Sequence, residues 1–213
     1  MDITWLGHSC FRLKGKGATV VTDPFDKTSG YHLGKIAADI VTISHEHPQH
    51  SNACGIEGNP DVLRGPGEYE IAGVFTYGFR TFHDSEKGLK MGKNTIYLMA
   101  IDDIKVCHLG DLGHVLSASL TEEISDTDIL LVPVGGGSTI GASAAAEVIN
   151  LVQPRIAIPM HYKTSVSTMQ LDSLDKFLKE MGIKEVSPLP RLTINKAALP
   201  IETEVRVLDF KGS

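Results

Sequence analysis

The chain is short of the features that mark secreted, membrane-spanning or nucleic-acid-binding proteins. Cysteine occurs only at Cys10, Cys54 and Cys107, with no C-x-x-C spacing. That argues against a disulfide framework, and all three are expected to be reduced, small and buried. The longest uncharged stretch, Ile129 to Ala146, is broken by Pro133 and by Gly135-Gly136-Gly137, so it cannot form a continuous spanning helix. Positive charge is scarce as well. Twenty Lys and Arg stand against 26 Asp and Glu, giving a formal charge of -6 without a basic cluster, so neither nucleic acid nor a membrane surface is an expected partner. The opening Met1-Asp2-Ile3-Thr4-Trp5 lacks the basic-then-apolar order of a signal peptide, and the expected location is cytoplasmic.

What the sequence does contain is enough apolar material for a sizeable core, 42% of 213 residues, and no linker, repeat or low-complexity segment. One domain over residues 1–213 is expected. In the first half, short β-branched runs punctuated by Gly, Pro and Asp read as strands over 2–6, 10–13, 18–22, 39–44, 68–71 and 74–82. Strands then follow over 95–101, 104–109, 128–134 and 155–160, with further short ones near 192–194 and 205–210. Helices are expected over 143–149 and 171–181, and a helical turn over 119–124. Strands first, then strands alternating with helices, imply an α/β architecture of packed sheets with helices outside.

The densest chemical signal follows the apolar strand Ile40-Val41-Thr42-Ile43-Ser44: His45-Glu46-His47-Pro48-Gln49-His50 places three imidazoles in six residues. In extended backbone His45 and His47 would point the same way, and Pro48 would stiffen the turn presenting His50. A metal site and a solvated histidine-rich loop both fit the hexapeptide alone. His83 after the run ending at Phe82, Asp111 after Leu109-Gly110, and His161 after Ile156–Met160 are three more chemistry-bearing residues at strand ends, where functional loops of layered α/β folds lie. Imidazole with carboxylate suits a divalent transition ion: zinc by default, with manganese or iron as alternatives.

Trp5-Leu6-Gly7-His8-Ser9, the hexapeptide at His45, Gly110-Asp111 and Ile158-Pro159-Met160-His161-Tyr162 occur in an order that resembles the metallo-β-lactamase superfamily, and specifically its small single-domain branch of ascorbate-6-phosphate lactonase-like hydrolases. That resemblance implies a four-layered αββα sandwich. It implies that His45, His47 and His83 hold a first metal, that His50 and His161 help to hold a second, and that Asp111 bridges the two. By their positions His8 and His114 are expected to contact substrate or orient ligands, with an ordinary surface histidine as the alternative for His114, and Asp111 and Gln49 are expected at the reacting centre. The activity implied is hydrolysis of a small, anionic ester, lactone or phosphodiester by metal-bound hydroxide, with one or two ions. A non-catalytic binder that kept the fold is the alternative, since fold does not fix function, and oligomeric state is left open.

The chain departs from the family's His-x-His-x-Asp-His at Gln49. Glutamine offers a neutral carbonyl oxygen where aspartate would offer a charged ligand, so a weaker second site is expected. Two roles are open for Asp23 in Asp23-Pro24-Phe25-Asp26: a hydrogen bond to a metal-ligating histidine, or a turn. The glycine run at 135–137 lacks a Walker ending and reads as a flexible connection with backbone amides near the metal edge.

Overall fold

The computed structural model describes residues 1–210. Fifteen strands and three α-helices run in chain order as β1 (Asp2–Gly7), β2 (Cys10–Lys14), β3 (Thr19–Thr22), β4 (Ile36–Ala37), β5 (Ile40–Ile43), β6 (Ile56–Glu57), β7 (Asp61–Arg64), β8 (Gly67–Ile71), β9 (Val74–Phe82), β10 (Lys93–Ile101), β11 (Ile104–His108), α1 (Ala118–Glu123), β12 (Ile129–Pro133), α2 (Ala142–Val152), β13 (Ile156–Met160), α3 (Leu174–Glu180), β14 (Leu192–Thr193) and β15 (Glu204–Val205). One sheet has the order β14-β1-β2-β3-β5-β7 and a second has β15-β13-β12-β11-β10-β9-β8, while β4 and β6 form a separate parallel pair.

Apolar side chains from the inner faces of both sheets make one core. Ile3, Trp5, Phe11 and Leu13 from the first sheet join Tyr97, Met99, Val106 and Leu130 from the second, which is the burial that drives sheets to stack. Tyr97 also crosses the seam with its polar end, its hydroxyl lying 3.0 Å from the Ile43 carbonyl and 3.3 Å from that of Leu63. On the outside of the second sheet, α2 carries Ala145, Val148, Ile149 and Val152 into the core and α3 adds Phe177 and Leu178. The outer face of the first sheet packs against a second apolar layer. A smaller cluster of Val21, Val41, Phe25, Tyr31, Ile36 and Ile56 covers it with loops, short 3₁₀ turns and the β4–β6 ribbon.

Strand direction places the site. In the first sheet β1 and β3 each run antiparallel to β2, and β5 and β7 run parallel to β3. The C-terminal ends of β1, β3 and β5 therefore share one edge. In the second sheet β9 and β11 both run antiparallel to β10, and β12 and β13 continue parallel to β11, so their C-terminal ends likewise coincide.

Several local expectations are corrected. Cys54 is exposed, whereas Cys10 and Cys107 are buried as expected and all three are free. The helix expected over 171–181 begins only at Leu174, after Ser173 as N-cap, because residues 163–172 are held as a loop, with Lys163 N–H bonded to the Asp172 carbonyl and Asp172 N–H to that of Gly135. The strand expected over 205–210 shrinks to Glu204–Val205, after which Leu208 makes an isolated bridge with Leu189. No helix among the described residues is long and apolar enough to cross a membrane.

Candidate metal centre

The shared edge collects every residue that the sequence placed at a strand end. His8 follows β1, Asp23 follows β3, Ser44 and the His45–His50 segment follow β5, His83 follows β9, Asp111 lies just beyond β11, and His161 follows β13. Their ligand atoms fall into three overlapping groups, each within 4.8 Å: His8, His50 and His161; His45, His47 and His50; and His45, His83 and Asp111. Asp111 is the hub. Its Oδ2 lies 3.2 Å from His50 Nε2, 3.2 Å from His83 Nε2 and 3.4 Å from His161 Nε2.

His45 and His47 converge by a different route from the one expected. The strand stops at Ile43 and residues 44–46 form a bend, so no pleat aligns the two rings. A tight turn follows, in which the N–H groups of His50 (2.8 Å) and Ser51 (2.9 Å) both donate to the His47 carbonyl, and this folds His50 back beneath them. The rings of His45 and His50 end with centroids 4.3 Å apart.

Three imidazoles have their tautomer set by a partner on Nδ1. His50 Nδ1–H donates to Asp23 Oδ2 at 3.0 Å, and His83 Nδ1–H to the Ser138 carbonyl at 2.9 Å. His45 Nδ1–H reaches Ser44 Oγ at 3.0 Å, and that hydroxyl in turn donates to Asp23 Oδ2 at 2.5 Å. In the neutral form of each ring the lone pair then sits on Nε2, as metal-ligating histidines require. Asp23 thus serves the cluster, and the segment that follows the glycine run contributes the Ser138 carbonyl.

Asp111 is held as closely. Asn94 Oδ1 accepts its backbone N–H at 3.0 Å while Asn94 Nδ2 donates to Thr81 Oγ1 and the Leu109 carbonyl, and Ser9 Oγ donates to Asp111 Oδ1 at 3.3 Å. Nothing in the sequence pattern pointed to Asn94, because a residue that works through backbone bonds leaves no spacing signature. His108, buried on β11, donates from Nε2 to the Ser9 carbonyl at 2.8 Å and so fixes that loop.

The electrostatics gather positive charge around the Asp111 carboxylate. Burial alone would raise the Asp111 carboxyl, but His161 and His50 outweigh it and hold its pKa well below the ordinary value. Burial likewise opposes charge on His50, yet Asp111 and Asp23 on either side raise its pKa to about 10. His45 is pushed down to about 4 by burial and by His50. His161 carries the clearest test of fit: it is fully buried, its Nδ1 has no hydrogen-bond partner, and its Nε2 has only the long 3.4 Å approach to Asp111 Oδ2. An orphaned buried imidazole costs free energy unless something other than protein satisfies it. The donor set, nitrogen with one carboxylate, fits a transition ion.

Two expected site residues are placed differently. His114 Nδ1–H donates to the Val115 carbonyl at 2.8 Å and Nε2 accepts the Phe82 N–H at 3.3 Å, so both nitrogens are spent on backbone and the side chain is a structural staple rather than a substrate contact. Gln49 is half-buried, and what engages the cluster is its backbone N–H, donated to His47 Nδ1 at 3.3 Å. Beside the cluster opens a cleft of about 700 Å³, lined by His45, Glu46, Arg64, Arg80, Met91 and Lys93 among others.

Comparison with known proteins follows the same lines. The family model described as "Beta-lactamase superfamily domain" matches residues 2–161. A solved structure of a candidate zinc-dependent hydrolase of the metallo-β-lactamase superfamily from Thermotoga maritima is 40% identical, with a TM-score of 0.80 and 97% of each chain covered. A UPF0173 protein of Pyrococcus abyssi is 31% identical over 77% of this chain and 84% of its own length. A UPF0173 metal-dependent hydrolase of Carboxydothermus hydrogenoformans is 30% identical over 77% of this chain and 85% of its own length.

Proposed function

The chain belongs to the metallo-β-lactamase superfamily, and on that premise we propose that it is a metal-dependent hydrolase acting on a small anionic ester, lactone or phosphodiester. The observation that carries this reading is the convergence of His50, His83 and His161 Nε2 on one buried carboxylate oxygen of Asp111. His45, His47 and His83 would hold a first ion, with Asp111 between it and a second; zinc is the default, and manganese or iron suits the same donors. When bound there, such ions lower the pKa of water and polarise a carbonyl or phosphoryl oxygen.

The protein's own part is positioning and charge. Asp23, Ser44 and the Ser138 carbonyl keep three Nε2 atoms aimed inward, so the ligands need not reorganise when an ion arrives. The adjoining cleft selects the substrate. Arg80 pairs across the strands with Thr95, which places Arg80 and Lys93 diagonally on the same face of β9 and β10. Among the described residues neither has a carboxylate partner, whereas Arg64 pairs with Glu46. Two unpaired like charges at diagonal positions repel each other, and an anion between them relieves that repulsion.

The test is turnover of chromogenic phosphodiester, lactone and neutral ester substrates by protein stripped with chelator and reloaded with zinc or manganese. Activity is expected to disappear on stripping and return on reloading. Arg80→Ala and Lys93→Ala should each raise KM about tenfold for anionic substrates, the loss of one charge-assisted contact, and leave the neutral ester unaffected. Absence of metal-dependent turnover on every substrate would overturn the proposal.

A further inference from the structure

We propose that His8 is itself a metal ligand, completing with His50, His161 and Asp111 a second site that needs nothing from Gln49. His8, His50 and His161 are all buried, and their ligand atoms lie within 4.8 Å of one another. His8 Nε2 is 2.9 Å from His50 Nε2, and the His8 ring centroid is 4.4 Å from that of His161.

The three rings cannot satisfy one another. One shared proton serves the His8–His50 contact, and neither of those rings hydrogen-bonds His161, whose Nδ1 is unpartnered and whose Nε2 has only the 3.4 Å approach to Asp111 Oδ2. A divalent ion placed among them would take the Nε2 lone pairs of all three, with Asp111 Oδ2 as the charged fourth donor. Three imidazoles and one carboxylate are the donor types a divalent transition ion takes.

The backbone is shaped to deliver this side chain. His8 has φ +53° and His161 has φ +52°, a left-handed conformation that histidine adopts only at a cost. The His8 carbonyl accepts both Trp5 Nε1–H at 3.0 Å and the His161 backbone N–H at 3.2 Å, so the two strained residues brace each other. Gly7 before it has φ +113°, and the Tyr31 ring fills the place where a Cβ would stand, 2.2 Å away. The loss of an acidic ligand at Gln49 is thus met by a neutral nitrogen from β1, which leaves the centre more positive than an aspartate would. The inference rests on the hydrolase reading only in assuming that the centre takes ions.

The experiment is titration of the full-length, metal-free protein with cobalt(II), followed by its ligand-field absorption, for wild type, His8→Asn and His8→Gly. Both replacements tolerate positive φ, and circular dichroism of each metal-free variant checks that it folds. Wild type should take two ions in sequence. In both variants the first ion should bind unchanged, while the second should weaken by more than about 100-fold, beyond the range seen when a ligand's supporting partner is lost. Free imidazole should restore the second ion in His8→Gly, which a merely structural role for His8 would not allow. A single ion in wild type, or an unchanged second ion in both variants, overturns the assignment. Metal-dependent turnover alongside that negative result would leave the hydrolase proposal standing, whereas failure of wild type to bind cobalt at all would remove both.

Discussion

Each ligand is only as good as the atom behind it. Ser44 links His45 to Asp23 through two hydrogen bonds, so Ser44→Ala frees the His45 ring to rotate and removes one donor from a buried carboxylate. Metal affinity at the first site is expected to fall about 10- to 100-fold, measured by competition with a chromophoric chelator. His114 makes the opposite prediction. Because both its nitrogens bind backbone, His114→Ala should cost about 1–3 kcal/mol in denaturant unfolding and leave KM untouched. The sequence announced His45, His47, His50, His83, Asp111 and His161 because histidines and an acid recur at strand ends. Asn94 and Ser44 were illegible because they act on neighbours, and the place of His8 was legible only in part because its partner His50 is 42 residues away in the chain.

Loops and strands differ in how far their sequence reports them. The strands β5, β12 and β13 are buried throughout and made of β-branched or apolar residues almost without break, and could be read directly. β7 buries only Leu63, and β4 and β6 have two residues each, so none shows a period. The loop after His83 was equally silent, although one residue organises it. Asp84 Oδ1 accepts the N–H groups of Glu86 (2.8 Å) and Gly88 (2.9 Å), and Oδ2 those of Lys90 (3.0 Å) and Met91 (2.7 Å). The segment so held contributes Gly88, Met91 and Gly92 to the cleft. Asp84→Asn exchanges one carboxylate oxygen for an amide that cannot accept, so the Lys90 and Met91 amides, or their counterparts on Oδ1, should exchange hydrogen faster while those of β10 stay protected. Unaltered exchange throughout 84–92 would show that the loop is held by something else.

At the scale of the molecule, the centre lies on the seam between the sheets. His8, His45, His47 and His50 come from the first, and His83, Asp111 and His161 from the second. Gly110 marks how closely the two approach there: with φ +58°, a Cβ on it would sit 2.4 Å from Asn94 Oδ1 and 2.5 Å from Ser44 Cβ. Gly110→Ala should therefore wedge the sheets apart, costing about 1–3 kcal/mol and weakening metal binding in the same variant. An ion bound across the seam does the reverse, because it adds a link between two sheets otherwise joined at this edge by hydrogen bonds, such as those from the Tyr97 hydroxyl and from the Thr95 N–H to the Ser44 carbonyl. Free metal at about 100 times its Kd should add about 2.7 kcal/mol to the unfolding free energy for each ion bound. Chelation should remove that increment, and amide exchange should then rise together in β5 and β10, the strands facing each other across the seam. A fall in protection confined to one sheet would mean that the ion is held by that sheet alone.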